Sequence, residues 1–213
     1  MYAKYFKRPL DLILSLVAFV LISPILLVLT VVGAIAMQGN PFFVQKRPGK
    51  KDKNGEEKIF SLIKFRTMSN AKDKNGNLLP DDVRLSKYGR FLRSTSLDEL
   101  PELLNIIKGD LSIVGPRPLL VRYLERYNEE QRRRHDVRPG LTGLAQISGR
   151  NAITWEEKFR IDVKYVDNIT FLGDVKIILN TVFAVLRRDG ISSQTSSTME
   201  EFMGSNQERV LYE

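Results

Sequence analysis

The sequence predicts an α+β fold that is mostly helical, with a membrane-anchoring helix at the N-terminus and a small β-hairpin behind it. Three observations predict this. Leu10 to Met37 is an apolar run in which Asp11 is the only charge, and two short strand-like stretches flank Asn54-Gly55. From Leu100 onward, apolar residues recur at helical spacing in several segments. The 213 residues suffice for one medium domain and an appendage. Shifts in composition divide the chain into an anchor over 1–40, a polar domain over 41–190 and a tail over 191–213.

Composition narrows the chemistry. Cys is absent, which excludes disulfides, a thiolate metal site and a Cys nucleophile. The single histidine, His135, lies within Arg132-Arg-Arg-His-Asp136, where a solvated helix face is expected, so neither a zinc cluster nor a Ser-His-Asp triad is supported. A net charge of +8 and a pI near 9.7 call for acidic partners: nucleic acid, anionic lipid or a phosphorylated small molecule.

As a helix, the apolar run is roughly 42 Å long, against a bilayer core of about 30 Å. It is too long for a secretory signal and no small-x-small cleavage site follows it. Ser23-Pro24 sits at its centre, where proline removes a hydrogen bond. Lys4, Lys7 and Arg8 precede the run, and Lys46, Arg47, Lys50, Lys51 and Lys53 follow it. The positive-inside rule places both ends on the cytoplasmic side, which favours a re-entrant helix broken at Ser23-Pro24 over a kinked span.

Phe42 to Arg47 and Ile59 to Arg66 read as strands, and Gln45, Arg47, Lys64 and Arg66 give the pair a basic edge. That edge suits phosphate, or is an ordinary solvated hairpin face. Asp81 and Asp82 read as solvated turn residues.

Ser94-Thr-Ser-Leu-Asp-Glu-Leu-Pro101 puts two acids, Asp98 and Glu99, between a basic segment and an apolar run. Glu99 follows Ser96 by three residues, the spacing of a capping box, so both acids are expected in a first helical turn. There the helix dipole favours carboxylates and can also hold phosphate oxygens. Gly115-Pro-Arg-Pro118 presents Arg117 on a stiff loop, as bidentate phosphate recognition requires. Leu119 to Arg134 is expected as one helix with Arg132 to Arg134 solvated. The Gly-rich stretch from Arg138 to Asn151 carries Gln146 and Arg150 but lacks Walker or dinucleotide spacing. Trp155 to Val166 and Phe171 to Arg188 read as amphipathic helices whose aromatics suit either a membrane interface or a core. The tail from Ser192 reads as extended or poorly ordered.

Together these stretches resemble the bacterial sugar transferases of the small monotopic phosphoglycosyl transferase family. The resemblance runs from about Lys7 to Gly190. It is carried by Lys7-Arg8 with Asp11, Ser23-Pro24, Gly39 to Arg47, Lys64 to Met68, Thr95 to Pro101, Gly109 to Pro118 and Arg138 to Asn151. It implies a re-entrant anchor broken at Ser23 and Pro24, and a cytoplasmic catalytic domain on the bacterial inner membrane. The implied reaction moves a sugar-1-phosphate from a UDP-sugar to polyprenyl phosphate, releases UMP and uses Mg²⁺. By resemblance Asp98 is the nucleophile and a candidate metal ligand, and Glu99 orients or deprotonates the lipid phosphate. Lys64, Arg93, Arg117 and Arg150 screen phosphate, and Gln146 faces the nucleotide. Two other classes compete: a membrane-tethered basic module holding nucleic acid or anionic lipid, and a nucleotide-sugar diphosphatase. No nucleic-acid motif supports the first, so nucleic acid is not expected as a partner.

Overall fold

A computed structural model describes residues 1–149, 153–187 and 201–204. Helices α1 (Tyr2–Tyr5) and α2 (Lys7–Ala36) lead into an antiparallel hairpin of β1 (Phe42–Lys51) and β2 (Glu57–Phe65). Helices α3 (Asp81–Arg84), α4 (Lys87–Thr95) and α5 (Glu102–Lys108) follow. Strand β3 (Ser112–Val114), helix α6 (Glu129–Arg132) and strand β4 (Gly140–Thr142) come next, then α7 (Leu144–Ile147), α8 (Trp155–Asp167) and α9 (Phe171–Arg187). The mostly helical expectation and the hairpin hold. The parallel β3–β4 pair, within stretches expected as loops, was missed. It needs two glycines: a Cβ on Gly140 would lie 2.1 Å from the Gly115 nitrogen, and one on Gly115 would lie 2.5 Å from the Arg138 carbonyl oxygen.

Helix α2 is long and apolar enough to cross a membrane, and much of its surface is exposed Leu, Val and Ile. The expected break at Ser23-Pro24 is not an interruption: the helix runs through Pro24. Proline leaves the Val20 carbonyl without its N–H partner, and the Ser23 hydroxyl donates to that carbonyl at 2.8 Å instead. One stripe of α2 packs on the domain along its whole length. In its first turn Arg8 donates to the Ile106 and Ile107 carbonyls at 2.6 and 2.9 Å, satisfying the free C-terminal end of α5. Asp11 accepts from the Ser112 hydroxyl at 2.6 Å and the Ile113 N–H at 3.1 Å, so the only acid in the run is buried with both oxygens bonded. Ala18, Phe19 and Ile22 cover Phe60, Leu62, Leu103, Ile106 and Leu111. Near the other end, the Tyr88 hydroxyl donates to the Leu29 carbonyl at 2.8 Å.

The segment expected as one helix from Leu119 to Arg134 is three pieces. A 3-10 helix (Val121–Arg126) stops at extended Tyr127, because Asn128 starts α6 anew through a capping box with Gln131. A second 3-10 turn (Arg133–Asp136) follows. Its residues are not all solvated: Arg134 is 2% exposed and His135 is 3% exposed. The turn points them inward, where Arg134 finds Asp162 and the ring Nδ1 of His135 lies 3.2 Å from the Gly49 carbonyl oxygen.

The aromatics of α8 and α9 divide between buried and exposed positions. Trp155 and Phe159 are buried with Leu119, Tyr123 and Tyr127, whereas Phe171, Leu172, Leu179, Val182 and Phe183 of α9 are exposed. In the tail, Phe202 is 1% exposed and completes that aromatic cluster, so 201–204 is docked chain rather than loose tail. The rest of the tail lies outside the described residues.

Burial, followed by the charge of Arg134, pushes His135 down from 6.5 to about 3. A depressed histidine stabilises the fold above its unfolded value, and that stability is lost as pH falls from about 6.5 toward 3. Lowering the pH from 7 to 5 should therefore cost about 2 kcal/mol through this group. Thermal unfolding in detergent at the two pH values should show that His135→Asn loses less stability than the parent chain. An equal loss in both would contradict the assignment.

Candidate active site

The site forms where α4 turns into α5. Ser86 starts α4 by accepting from the Gly89 N–H at 2.9 Å, and Ser96 ends it in the left-handed region at φ 56°. The expected Ser96–Glu99 capping box is therefore not formed: Ser96 has no capping hydrogen bond and closes the preceding helix. Leu97, Asp98 and Glu99 make one 3-10 turn, Pro101 follows, and α5 begins at Glu102. The two acids do occupy a helical turn, but a corner one. Asn105 fixes α5 against β2, donating to the Ser61 carbonyl at 2.8 Å and accepting from the Ile63 N–H at 3.1 Å. That junction brings Lys64 of β2 to the acids.

Glu99 and Asp98 have opposite surroundings. Lys64 Nζ donates to Glu99 Oε1 at 2.8 Å, Arg117 Nη2 donates to the same oxygen, and Arg117 Nη1 lies 3.5 Å from Oε2. Burial pushes the Glu99 carboxyl up, but the charges and hydrogen bonds of Arg117 and Lys64 together outweigh it and hold the group well below the usual range. The Glu99 charge in turn raises Arg117. Asp98, among the described residues, makes no hydrogen bond or ion pair. Burial and the neighbouring Glu99 raise its carboxyl, opposed by Lys64, Arg117 and Arg93. One acid is clamped and the other is available.

Asp98 lines a cavity of about 510 Å³ walled by Arg47, Lys64, Arg66, Arg84, Arg93 and Arg117. Arg93 is steadied by the Thr67 hydroxyl, 3.1 Å from Nε. Arg47 donates to Gln45 at 2.6 Å and to the Pro118 carbonyl at 3.3 Å; burial and then the Arg117 charge lower it to about 10. Of the residues expected to meet phosphate, Lys64, Arg93 and Arg117 are thus brought together. Gln146 lines a second, neighbouring cavity, its amide nitrogen bonded to the Leu141 carbonyl at 3.1 Å. Arg150 lies outside the described residues. Ser23 and Pro24 are remote from the site, on α2.

Three contributors were not anticipated. Glu102, 2% exposed, has Oε1 3.0 Å from Lys64, and burial with the nearby Glu99 charge pushes it up to about 7. Its position three residues after Glu99, on the same face of a helical turn, was the available signal. Arg134 donates to Asp162 at 2.7 Å and to the backbone carbonyl of Arg117 at 2.7 Å, so a buried ion pair holds the Arg117 loop. Arg47 was seen only as part of a basic strand edge.

Residues 2–188 match the family described as bacterial sugar transferase. The chain belongs to that family. This bacterial sugar transferase is 51% identical over 201 residues to the uncharacterized sugar transferase EpsL of Bacillus subtilis (strain 168), covering 93% of this chain and 96% of that protein. It is 40% identical over 188 residues to the UDP-glucose:undecaprenyl-phosphate glucose-1-phosphate transferase of Klebsiella pneumoniae, covering 84% of this chain and 39% of the relative. It is 34% identical over 201 residues to the undecaprenyl-phosphate galactose phosphotransferase of Salmonella typhimurium, covering 88% and 42%. The transferase thus spans under half the length of these two named enzymes.

Removing one member of a buried ion pair strands the other. Arg134→Ala should destabilise the transferase by about 3–5 kcal/mol, whereas a paired Arg134→Met, Asp162→Leu replacement should recover most of it. Thermal unfolding in detergent decides; equal losses in the single and paired variants would contradict the ion-pair account.

Proposed function

We propose that this chain transfers a sugar-1-phosphate from a UDP-sugar to a polyprenyl phosphate, releasing UMP, through a covalent intermediate on Asp98. The single observation carrying this reading is the division between the acids: Glu99 is held by Lys64 and Arg117, while Asp98 has no partner among the described residues and lines a cavity that six cations also line. The activities for which the Klebsiella and Salmonella relatives are named support an undecaprenyl-phosphate acceptor, and the Klebsiella relative's also supports a UDP-sugar donor.

In the first step a carboxylate oxygen of Asp98 attacks the sugar-linked phosphorus. The P–O bond to UMP breaks, and UMP leaves with that electron pair. In the second, an oxygen of the lipid phosphate attacks the same phosphorus, the bond to Asp98 breaks and the carboxylate is restored. Anion attacking anion requires fixed positive charge, which Lys64, Arg93 and Arg117 supply without reorganising. Glu99 accepts from both Lys64 and Arg117, which hold its carboxyl low, and its role in this reading is to keep those two cations in place.

Mg²⁺ fits this arrangement in one way. Among the described residues no group of three His, Cys, Asp or Glu side chains could hold a metal. An ion that takes most ligands from substrate phosphates and water needs only one or two carboxylates, and Asp98 is unengaged. When bound it would neutralise diphosphate charge and ease loss of UMP.

The anchor reading is monotopic, on the cytoplasmic face of the bacterial inner membrane. Both Arg8 near the start of α2 and Leu29 near its end touch the same domain. A helix crossing perpendicular to the bilayer would carry one of them about 30 Å away. Both ends of α2 then remain on the domain's side, as the flanking charges require.

The purified chain with Mg²⁺ should release UMP from a UDP-sugar in the presence of polyprenyl phosphate, and Asp98→Asn should lower the rate on the order of a thousand-fold. Unchanged turnover in Asp98→Asn would overturn the mechanism. Free sugar phosphate formed without lipid would indicate a diphosphatase, and steeply salt-dependent nucleic-acid or lipid binding without turnover would indicate a basic tether.

A further inference from the structure

The basic cavity is not the only space that reaches Glu99 and Arg117. A second cavity of about 440 Å³ lies on their other side, and the two share Ser96, Glu99 and Arg117 as a partition. Asp98 lines the basic cavity and not the second one. We propose that this second cavity seats the first isoprene units of the acceptor lipid, so that the lipid phosphate meets Arg117 from the face opposite the nucleotide-sugar. The proposal rests on the transferase reading above.

The character of the walls carries the argument. Leu100, Ile113, Leu141, Ala145, Ile178 and Val182 make the cavity mainly apolar. Its polar groups are largely engaged among themselves. The Thr142 and Thr181 hydroxyls are 2.7 Å apart, Thr181 also donates to the Ile177 carbonyl at 2.8 Å, and Asp162 is paired with Arg134. Gln146 Oε1 is buried without a hydrogen-bond partner among the described residues, an acceptor that uracil could use if the nucleoside sat here.

The mouth of the cavity decides for the lipid. Val182 lines it and is also 51% exposed, continuous with the outward apolar face of α9 formed by Phe171, Leu172, Leu179 and Phe183. That helix is tied to the start of the membrane-suited helix: Asp174 of α9 accepts from Lys7 at 2.6 Å and from the Tyr2 hydroxyl at 2.8 Å. An apolar chain following the exposed face of α9 would reach the cavity at Val182 and meet Lys158 and Arg117 among its lining. A nucleoside diphosphate carries negative charge and gains more from the six cations of the other cavity.

Two measurements test this. The first uses a polyprenyl phosphate with a diazirine in its first isoprene unit, photolysed with the full chain in detergent. Labels are expected on peptides spanning 141–147 and 178–185; labelling confined to other peptides would overturn the proposal. Because it reads binding without turnover, it remains informative if the transferase reading fails, a failure that would show as no UMP release and no adduct in the parent chain. The second compares Ala145→Leu, which fills the cavity, with Val182→Trp, which blocks its mouth on an exposed position. Each should raise the KM for polyprenyl phosphate about tenfold or more while the KM for UDP-sugar changes less than twofold. A raised KM for UDP-sugar would assign the cavity to the nucleoside, and an unchanged lipid KM would remove the lipid from it.

Discussion

Glu99 accepting from both Lys64 and Arg117 is the contact on which the rest of the site depends. Its three members come from parts of the chain with no local relation: the α4–α5 corner, strand β2 and the loop after β3. Each is fixed by something behind it. Asn105 ties α5 to β2, and the Arg134–Asp162 pair holds the Arg117 carbonyl. With the charge of Glu99 answered, Asp98 next to it is left without a partner among the described residues, in a cavity that six cationic side chains line together with apolar and neutral ones. The division of roles between adjacent, chemically similar acids is thus a consequence of tertiary packing rather than of the acids themselves.

The anchor is part of this construction rather than an attachment to it. Arg8 completes the C-terminal carbonyls of α5, Asp11 binds the start of β3, and Phe19 and Ile22 roof the cluster beneath β2 and α5. Any shift of α2 along its axis would disturb α5, which follows the turn that carries the acids. This coupling fixes the acids relative to the apolar helix, as the proposed joining of a water-soluble donor to a lipid acceptor would require.

Much of this was legible in the sequence because it is local. The apolar run, the hairpin and the adjacent acids follow from pattern and spacing, while Lys64, Arg93 and Arg117 as site cations rest on the family resemblance. What was not legible depended on partners distant in sequence. Arg134 and His135 read as solvated inside a charge run, since nothing near them indicates that Asp162 or Gly49 will be present. The capping-box spacing occurs at both Ser96 and Asn128, and only the second forms; at the first, the chain must turn a corner to seat α5 on β2. Pro24 alone implies a break, but the Ser23 hydroxyl supplies the missing hydrogen bond. The tail from Ser192 read as extended or poorly ordered because the cluster that Phe202 enters is assembled from residues 119–159.

The central claim is that the free acid, Asp98, and not the clamped Glu99, bonds to phosphorus. Intact-mass measurement of the chain exposed to UDP-sugar and Mg²⁺ without lipid, followed by peptide mapping, tests it most directly. The account predicts a sugar-phosphate adduct on Asp98 that disappears when polyprenyl phosphate is added. An adduct on Glu99, or sustained turnover with no adduct at any stage, would contradict it.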